Sequence, residues 1–161
     1  MERSGEHEAG QKQEVVRYEV SNFALPEKWS LHNLKYWQAG EYLSLGLNAV
    51  SFIDGTRIRN CENFADYQAA LGVGRPPIAE QQELSANERH FERVMLALRT
   101  CWGIFRDDLP LQLWRELHVK AQELASRYPE LMAVTAERIA LTSRGMNVEH
   151  TLVVELTEGL L

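Results

Sequence analysis

The sequence predicts an α+β fold in which strands dominate before residue 72 and helices dominate after residue 82. Alternating and β-branched apolar runs lie mainly in the first part, whereas apolar residues recur at helical spacing in the second. Between them, residues 72–82 contain Gly72, Gly74, Pro76 and Pro77, which predicts a break. With 161 residues, 45% of them hydrophobic, the chain can form one domain or two small ones.

The first part begins with two expected segments of different character. Residues 1–14 are polar and aperiodic, so we expect them to be disordered. Residues 15–21, VVRYEVS, alternate in polarity and predict a strand. One face would carry Val16, Tyr18 and Val20, and the other would carry Arg17 and Glu19.

A second strand and a hairpin are predicted next. Residues 42–53, YLSLGLNAVSFI, form an apolar run that predicts a buried strand with a close backbone approach at Gly46. Asp54-Gly55 is a strong hairpin turn signal, so residues 56–60 should form a short return strand. Residues 63–71 then read as a helix capped by Asn63.

The second part opens with a helix over residues 85–101. Ser85 and Glu88 stand at the spacing of a capping box, which marks a helix N-terminus. The apolar residues that recur at helical spacing after it are Phe91, Met95, Leu98 and Trp102.

Three further elements complete the second part. A helix fits residues 109–127, with Leu113, Leu117, Ala121 and Leu124 on one stripe, and residues 131–141 form a small hairpin. Thr142 should cap a last helix whose inner face carries Val148, Leu152 and Leu156. Helix, helix, hairpin, helix is a winged-helix-like order.

Charge and composition narrow the class of function. The net charge of −6 and a pI near 5.4 argue against a nucleic-acid partner, because non-specific affinity for nucleic acid needs concentrated positive charge. Two cysteines suit a reducing cytoplasm and cannot form a disulfide framework. The charged N-terminus is not a signal peptide, and no apolar run approaches the roughly 20 residues of a membrane helix. We therefore expect a cytoplasmic protein without a membrane span.

Several separate motifs follow one another in a family-specific order. They are RYEVSNFA (17–24), HNLKYW (32–37), EYLSLGLNAVS (41–51), ERVMLALRTCWGI (92–104) and ERIALTSRGMNVEHTLVVEL (137–156). Together they resemble the second half of the oxygen-independent coproporphyrinogen III oxidase-like radical SAM proteins. The resemblance is closer to the HemW type, regarded as haem chaperones, than to the HemN oxidases.

The resemblance implies a radical SAM barrel of β/α units followed by a small helical domain. Residues 15–80 would be the tail of the barrel, with two to three strands, because a full barrel has eight strands in roughly 250 residues. Residues 81–161 would be the HemN-type, winged-helix-like C-terminal domain. The chain would then be a truncated or split product, or one part of a two-chain assembly.

The family's catalytic ligands are missing from this sequence. Family members hold a [4Fe–4S] cluster through a C-x-x-x-C-x-x-C triplet, and such clusters need thiolates at one point. Here Cys61 and Cys101 stand 40 positions apart, and the glycine-rich stretch that binds S-adenosylmethionine is absent. We expect no catalysis from this chain alone, and whether it serves an enzyme stays open.

The resemblance associates the HNLKYW segment with haem. His32 would be a haem-iron ligand, and Tyr36 and Trp37 would form a platform for the porphyrin, presented by a strand edge and a loop. Alternatively, His32 satisfies backbone groups of the loop while the two aromatic residues pack against the barrel. Whether Cys61 or His90 supplies a second axial ligand to the iron stays open.

Two other segments leave alternatives open. Where the family usually has glycine and histidine near its cofactor pocket, this chain has Asn48 and Val50, which favours a packed strand there. The residues Tyr18, Glu19, Ser21 and Asn22 line a barrel mouth, or Ser21 and Asn22 only form a turn.

Three functions are compatible with these features. The first is a C-terminal portion of a HemW-like protein in haem delivery or porphyrin biosynthesis, without catalysis of its own. The second is an interaction module that completes or regulates a partner chain carrying the radical SAM half, or that self-associates through open sheet edges. The third is an inactive relic.

Overall fold

The computed structural model of the protein describes residues 14–160, so the disorder predicted for residues 1–14 lies, except at Glu14, outside the described part. Within this described range, two 3₁₀ turns occur, at Arg106–Asp108 and Gly145–Val148. The strands and helices are, in chain order, β1 (Val16–Arg17), β2 (Phe23–Ala24), α1 (Leu31–Trp37), β3 (Val50–Ile53), β4 (Thr56–Asn60), α2 (Phe64–Gly72), β5 (Ile78–Glu83), α3 (Ala86–Ala97), β6 (Ile104–Phe105), α4 (Leu111–Arg127), β7 (Met132–Thr135), β8 (Arg138–Leu141) and α5 (Glu149–Thr157).

The main hydrophobic core lies in the second part, between α3, α4, α5 and the sheet β6-β8-β7. On α4 the buried residues are Trp114, Leu117, Ala121 and Leu124. The predicted stripe is therefore confirmed, except that Leu113 is only half-buried and Trp114 packs inward beside it. Burial of each large apolar side chain contributes roughly 1.5–3 kcal/mol to folding.

The start of α3 follows the predicted capping box. The Ser85 hydroxyl accepts a hydrogen bond from the backbone N–H of Glu88 at 3.2 Å, and the Glu88 carboxylate accepts one from the backbone N–H of Ser85 at 2.8 Å. The bond from the backbone N–H of Ser85 favours the charged carboxylate and so lowers the pKa of Glu88.

The end of α3 differs from the prediction, since the helix stops at Ala97 and not at residue 101. The following residues pair with the N-terminal segment instead. The backbone N–H of Val20 donates to the carbonyl of Arg99 at 2.9 Å, and that of Cys101 donates to the carbonyl of Tyr18 at 2.9 Å. Pairing between distant segments therefore ends the helix early.

The hairpin of β3 and β4 is confirmed. Asp54 and Gly55 both have positive φ, 49° and 73°, as a two-residue type I′ turn requires. The cap of α2 is also confirmed, because the Asn63 side chain accepts from the backbone N–H of Ala65 at 2.8 Å.

Strand β5 was not predicted. The break expected over residues 72–82 is wrong for its last part, since residues 78–83 pair antiparallel with β4 and form a three-stranded sheet. All six residues of β5 are exposed, so they show no alternation of polarity. A strand without a buried face leaves no periodic signal in the sequence.

The strand predicted over residues 42–53 is mostly wrong. Only Tyr42 and β3 pair, and residues 43–49 form a loop. Gly46 has a φ of 111°, a backbone conformation that favours glycine. Nothing lies within 4 Å of a Cβ added there, so the close backbone approach predicted at Gly46 is wrong. Asn48 has a φ of 54°, a left-handed value that asparagine tolerates.

The first predicted strand is also shorter than expected. Only Val16 and Arg17 pair as β1, and the predicted alternation is wrong at Glu19, whose exposed fraction is 0%. Glu19 is buried because its backbone forms an isolated bridge with Thr100 against the core.

The last helix begins later than predicted. Thr142 does not cap α5, because its hydroxyl accepts from the backbone N–H of Gly145, the first residue of the preceding 3₁₀ turn, at 3.1 Å. On α5, Leu152 and Leu156 are buried as expected, whereas Val148 precedes the helix and is exposed. The 3₁₀ turn rotates Val148 away from the inner face.

The predicted order of two helices, a hairpin and a helix is observed in α3, α4, β7–β8 and α5. The hairpin gains a third strand, β6. Every strand pair within residues 14–160 is antiparallel, whereas barrel strands are parallel. The barrel remnant, the winged-helix likeness and the domain boundary at residue 80 stay predictions. No helix in the described range has the length and apolar character to cross a membrane.

Candidate functional site

The HNLKYW segment is a helix, not the loop predicted from the sequence. Ser30 caps α1, and its hydroxyl accepts from the backbone N–H of Asn33 at 3.3 Å. The Tyr18 hydroxyl accepts from the backbone N–H of Ser30 at 3.4 Å and so ties this cap to the buried N-terminal segment. Short as it is, α1 is fixed at its start by these contacts.

His32 and Tyr36 lie one turn apart on α1 and touch. Their ring centroids are 5.1 Å apart in an edge-to-face arrangement, and the Tyr36 ring lies 4.6 Å from that of Tyr42. His32 is exposed, whereas the two tyrosines are half-buried. The result is an aromatic row that begins with an accessible imidazole. Burial raises the pKa of the Tyr42 phenol, so Tyr42 stays a neutral hydrogen-bonding group at neutral pH.

Trp37, the third predicted haem residue, lies on another side of α1. Five positions separate it from His32, which places the two side chains about 140° apart around a helix of 3.6 residues per turn. The Trp37 ring lies beneath the guanidinium of Arg99, 5.9 Å from its central carbon. The structure thus groups His32 with Tyr36 and separates both from Trp37.

Trp37 lines a cleft of about 450 Å³ between α1, α3 and the turn that follows α3. Arg93 and Asp108 form an ion pair in its wall. The remaining lining residues are Leu34, Gln38, Ala97, Thr100, Trp102, Gly103 and Phe105. A concave, mainly apolar cavity of this size with a few polar groups is typical of small-molecule sites.

A second aromatic cluster supports one end of this cleft. Trp29 lies between Tyr18 and Trp102, with ring centroid distances of 5.4 Å and 5.7 Å respectively. Trp102 faces the cleft and the other two rings pack behind it. The cluster therefore fixes the position of a cleft wall.

The two candidate second ligands do not join His32 in a cluster. His90 lines a neighbouring cavity that shares Ala39, Phe52 and Glu92 with the cavity beside Tyr36. Cys61 lies at the end of β4, where its backbone N–H donates to the carbonyl of Pro77 at 2.7 Å. Over residues 14–160, no three histidine, cysteine, aspartate or glutamate residues stand close enough to share a metal ion.

The segment from Tyr18 to Asn22 is arranged as a turn. The backbone N–H of Tyr18 donates to the carbonyl of Asn22 at 3.3 Å, and that of Ser21 donates to the Glu19 carboxylate at 3.1 Å. Ser21 and Asn22 are exposed, while Tyr18 and Glu19 are buried. The turn-forming alternative therefore fits Ser21 and Asn22.

Sequence reasoning missed Tyr42, Arg93 and Arg99 as neighbours of the predicted haem residues. No local signal marks the two arginines, because α3 and the turn after it bring them to α1 from about 60 positions away. The position of Ser30, directly before LHN, is a capping signal that could have revealed the helix and hence the His32–Tyr36 pair.

The chain is similar to curated proteins over most of its length, although no protein-family model matches it. It is 32% identical over 129 residues to the heme chaperone HemW of Mycobacterium tuberculosis (strain ATCC 25618 / H37Rv), a match that covers 80% of this chain and 31% of that protein. It is 32% identical over 90 residues to the heme chaperone HemW of Bacillus subtilis (strain 168), covering 56% of this chain and 24% of that protein. The chain thus spans about a quarter to a third of these relatives.

A solved structure shares the fold. Coproporphyrinogen III oxidase (HemN) from Escherichia coli, described as a radical SAM enzyme, superimposes with a TM-score of 0.62 over 84% of this chain and 35% of that chain. The sequence identity of 14% makes this a likeness of fold alone. Both comparisons fall within the family that the sequence motifs resemble.

Proposed function

Because the chain belongs to the HemW/HemN-like family, whose C-terminal part it matches, we propose that it binds haem or a related porphyrin and passes it on. The relatives in M. tuberculosis and B. subtilis are heme chaperones by name. For this chain the proposal rests on one observation, the exposed imidazole of His32 held against the Tyr36 ring.

The chemistry of the aromatic row fits a haem. A neutral imidazole nitrogen is a common ligand of haem iron, and an exposed one can be reached without rearrangement of the core. Tyr36 and Tyr42 present flat apolar surface beside it, with hydroxyl groups that can hydrogen-bond at the porphyrin rim. His32 is thus the proposed iron ligand, and the two tyrosines are the proposed platform.

Trp37 needs a different role in this proposal. Since it lies about 140° from His32 around α1, it cannot face the same side of a porphyrin whose iron is bound at His32. Trp37 instead stabilises the helix that carries His32, through its contact with Arg99.

The [4Fe–4S] cluster of the radical SAM enzymes does not fit the residues of this chain. The sequence has two cysteines, and in the structure Cys61 follows β4 whereas the backbone N–H of Cys101 donates to the carbonyl of Tyr18 beside the core. Burial also raises the pKa of the Cys101 thiol, which disfavours the thiolate that a cluster needs. We therefore assign no radical step to this chain alone.

A spectroscopic haem titration of the purified chain tests the proposal. We expect a saturable Soret shift with one equivalent of haem, and a weaker or missing shift in the variant His32→Ala. His150→Ala is the matched control, because His150 is an exposed histidine on α5, far along the chain from α1. Equal binding by all three proteins would remove His32 from the site.

A second candidate function, a docking module, is favoured by a group of exposed apolar side chains. In the loop before β3, Leu43, Leu45 and Leu47 expose 71%, 85% and 45% of their surface, and Phe64 at the start of α2 exposes 65%. We call these four residues the leucine-loop surface. Contiguous exposed apolar surface marks sites of association, and we propose that these four side chains form one such surface.

Backbone contacts hold the leucine-loop surface at one end of the sheet β3-β4-β5. The N–H of Asn48 donates to the carbonyl of Cys61 at 3.0 Å, and the Asn60 side chain donates to the carbonyl of Gly46 at 3.0 Å. The proposed occupant is a polypeptide equivalent to the two thirds of the relatives that this chain does not span. It would cover the apolar groups and supply the cluster-binding cysteines.

Co-purification tests the docking module. The complementary segment of the M. tuberculosis relative is co-expressed with this chain, and the complex is measured by size-exclusion chromatography. We expect the triple substitution of Leu43, Leu45 and Leu47 by serine to abolish the complex. Serine at Leu111 and Val119, which are exposed on α4 by 50% and 54%, is the control. Equal complex formation by both variants would contradict this assignment.

A further inference from the structure

Two side chains that line the cleft, Trp37 and Arg93, each carry a hydrogen-bond donor without an acceptor. The indole Nε1 of Trp37 and the Nε of Arg93 are both screened from solvent, and the described residues offer neither of them a partner. Buried donors are rarely left unpaired, because each has lost its hydrogen bonds to water. Two such donors on residues of one lining indicate that a ligand with an acceptor group enters the cleft.

Two other polar groups of the cleft, those of Asp108 and Thr100, already have hydrogen-bond partners. Arg93 uses its Nη2 to pair with Asp108, and the second oxygen of Asp108 accepts from the backbone N–H of Phe105 at 2.9 Å. The Thr100 hydroxyl donates to the carbonyl of Ala97 at 2.9 Å. Asp108 therefore does not compete for the free Nε–H of Arg93.

The walls of the cleft favour a flat ligand. Trp37, Trp102 and Phe105 contribute rings, and Trp102 is fixed from behind by Trp29. Aromatic rings bind planar groups by stacking and edge contacts. One of the free donors belongs to a guanidinium, which bonds most strongly to an anion.

We propose that this cleft is a binding site for a flat aromatic carboxylate. The ring lies among Trp37, Trp102 and Phe105, and the carboxylate oxygens accept from Trp37 Nε1–H and Arg93 Nε–H. The site is separate from the aromatic row, because it uses neither His32 nor an iron atom. Failure of this proposal therefore leaves the haem proposal standing.

The test is an NMR titration of the full ¹⁵N-labelled chain with sodium 2-naphthoate. Of the four tryptophan indole N–H signals, we expect that of Trp37 to move saturably, together with the Arg93 Nε–H signal. The signal of Trp114, which is buried in the core, should stay in place. The variant Trp37→Phe keeps a ring, removes the donor and assigns the signal.

Two comparisons separate hydrogen bonding from mere stacking. On the unaltered chain, 2-naphthamide has the same ring but no charge and should bind roughly tenfold more weakly, or worse, because hydrogen bonds to charged groups are the stronger ones. Arg93→Lys keeps a positive charge for Asp108 but loses the Nε–H, and we expect a similar loss for 2-naphthoate. A Trp37 signal that does not move, equal affinity for both compounds, or unchanged affinity in Arg93→Lys would each overturn the proposal.

Discussion

Gly103 joins the cleft to the core, and its replacement by alanine should be strongly destabilising. Its φ is 66°, and a Cβ placed there would lie 2.1 Å from the carbonyl oxygen of Ile139 and 2.6 Å from the Cα of Ala140. Both are backbone atoms of β8, so neither can turn aside as a flexible side chain would. The left-handed conformation costs roughly 1–2 kcal/mol for a residue with a Cβ. Overpacking adds roughly 1–3 kcal/mol.

The expected loss for Gly103→Ala is therefore about 2–5 kcal/mol, a large part of the roughly 5–15 kcal/mol of a typical domain. Urea unfolding followed by tryptophan fluorescence measures it, provided that the m-value is unchanged. Gly159→Ala is the matched control, since Gly159 has a φ of 73° with nothing within 4 Å of an added Cβ. Equal losses in the two variants would refute the packing of Gly103 against β8.

Three further predictions concern single side chains. The lowered pKa of Glu88 stabilises the folded chain at every pH above the carboxyl's pKa in the unfolded chain. In urea unfolding, the unaltered chain should therefore be more stable than Glu88→Gln at pH 7, and this difference should fade as acid protonates Glu88 in the folded chain. A difference that stays constant with pH would contradict this. Because burial raises the pKa of the Cys101 thiol, iodoacetamide at pH 8 should alkylate Cys101 more slowly in the folded chain than in urea, as followed by peptide mass spectrometry; equal rates would count against its burial. Because Asn48 has a φ of 54°, Asn48→Gly should be nearly neutral in thermal unfolding and Asn48→Ala should cost roughly 1 kcal/mol; the reverse order would exclude the left-handed loop.

Features set by neighbouring residues could be predicted from the sequence. The turn at Asp54-Gly55 and the capping box of Ser85 and Glu88 each depend on two residues close in the chain, and both are present. The buried stripe of α4 is likewise a local periodicity. Such features need no knowledge of the rest of the fold.

Features set by distant pairing could not be predicted. Glu19 looks like a solvent-facing strand residue until Thr100 pairs with its backbone, and the same contact region ends α3 at Ala97. Strand β5 depends on β4 for every hydrogen bond of its ladder and has no buried face. No local sequence pattern at Glu19 or in β5 indicates which segment pairs with it.

The candidate site contains both kinds of feature, some set by neighbouring residues and some by distant ones. The pair of His32 and Tyr36 follows from helical spacing once Ser30 is read as a cap. The separation of Trp37 from that pair follows from the same spacing, yet the loop interpretation placed all three together. The approach of Arg93 to Trp37 depends on how α3 packs against α1 and has no local signal.

Low-temperature EPR of the ferric haem complex tests the central proposal most directly. The account predicts that one equivalent of haem binds and that its signal is that of imidazole-ligated iron. In His32→Ala this signal should be replaced by that of iron without the imidazole, while His150→Ala should keep it. An imidazole-type signal that persists in His32→Ala would contradict the account, because the iron would then be held elsewhere in the molecule.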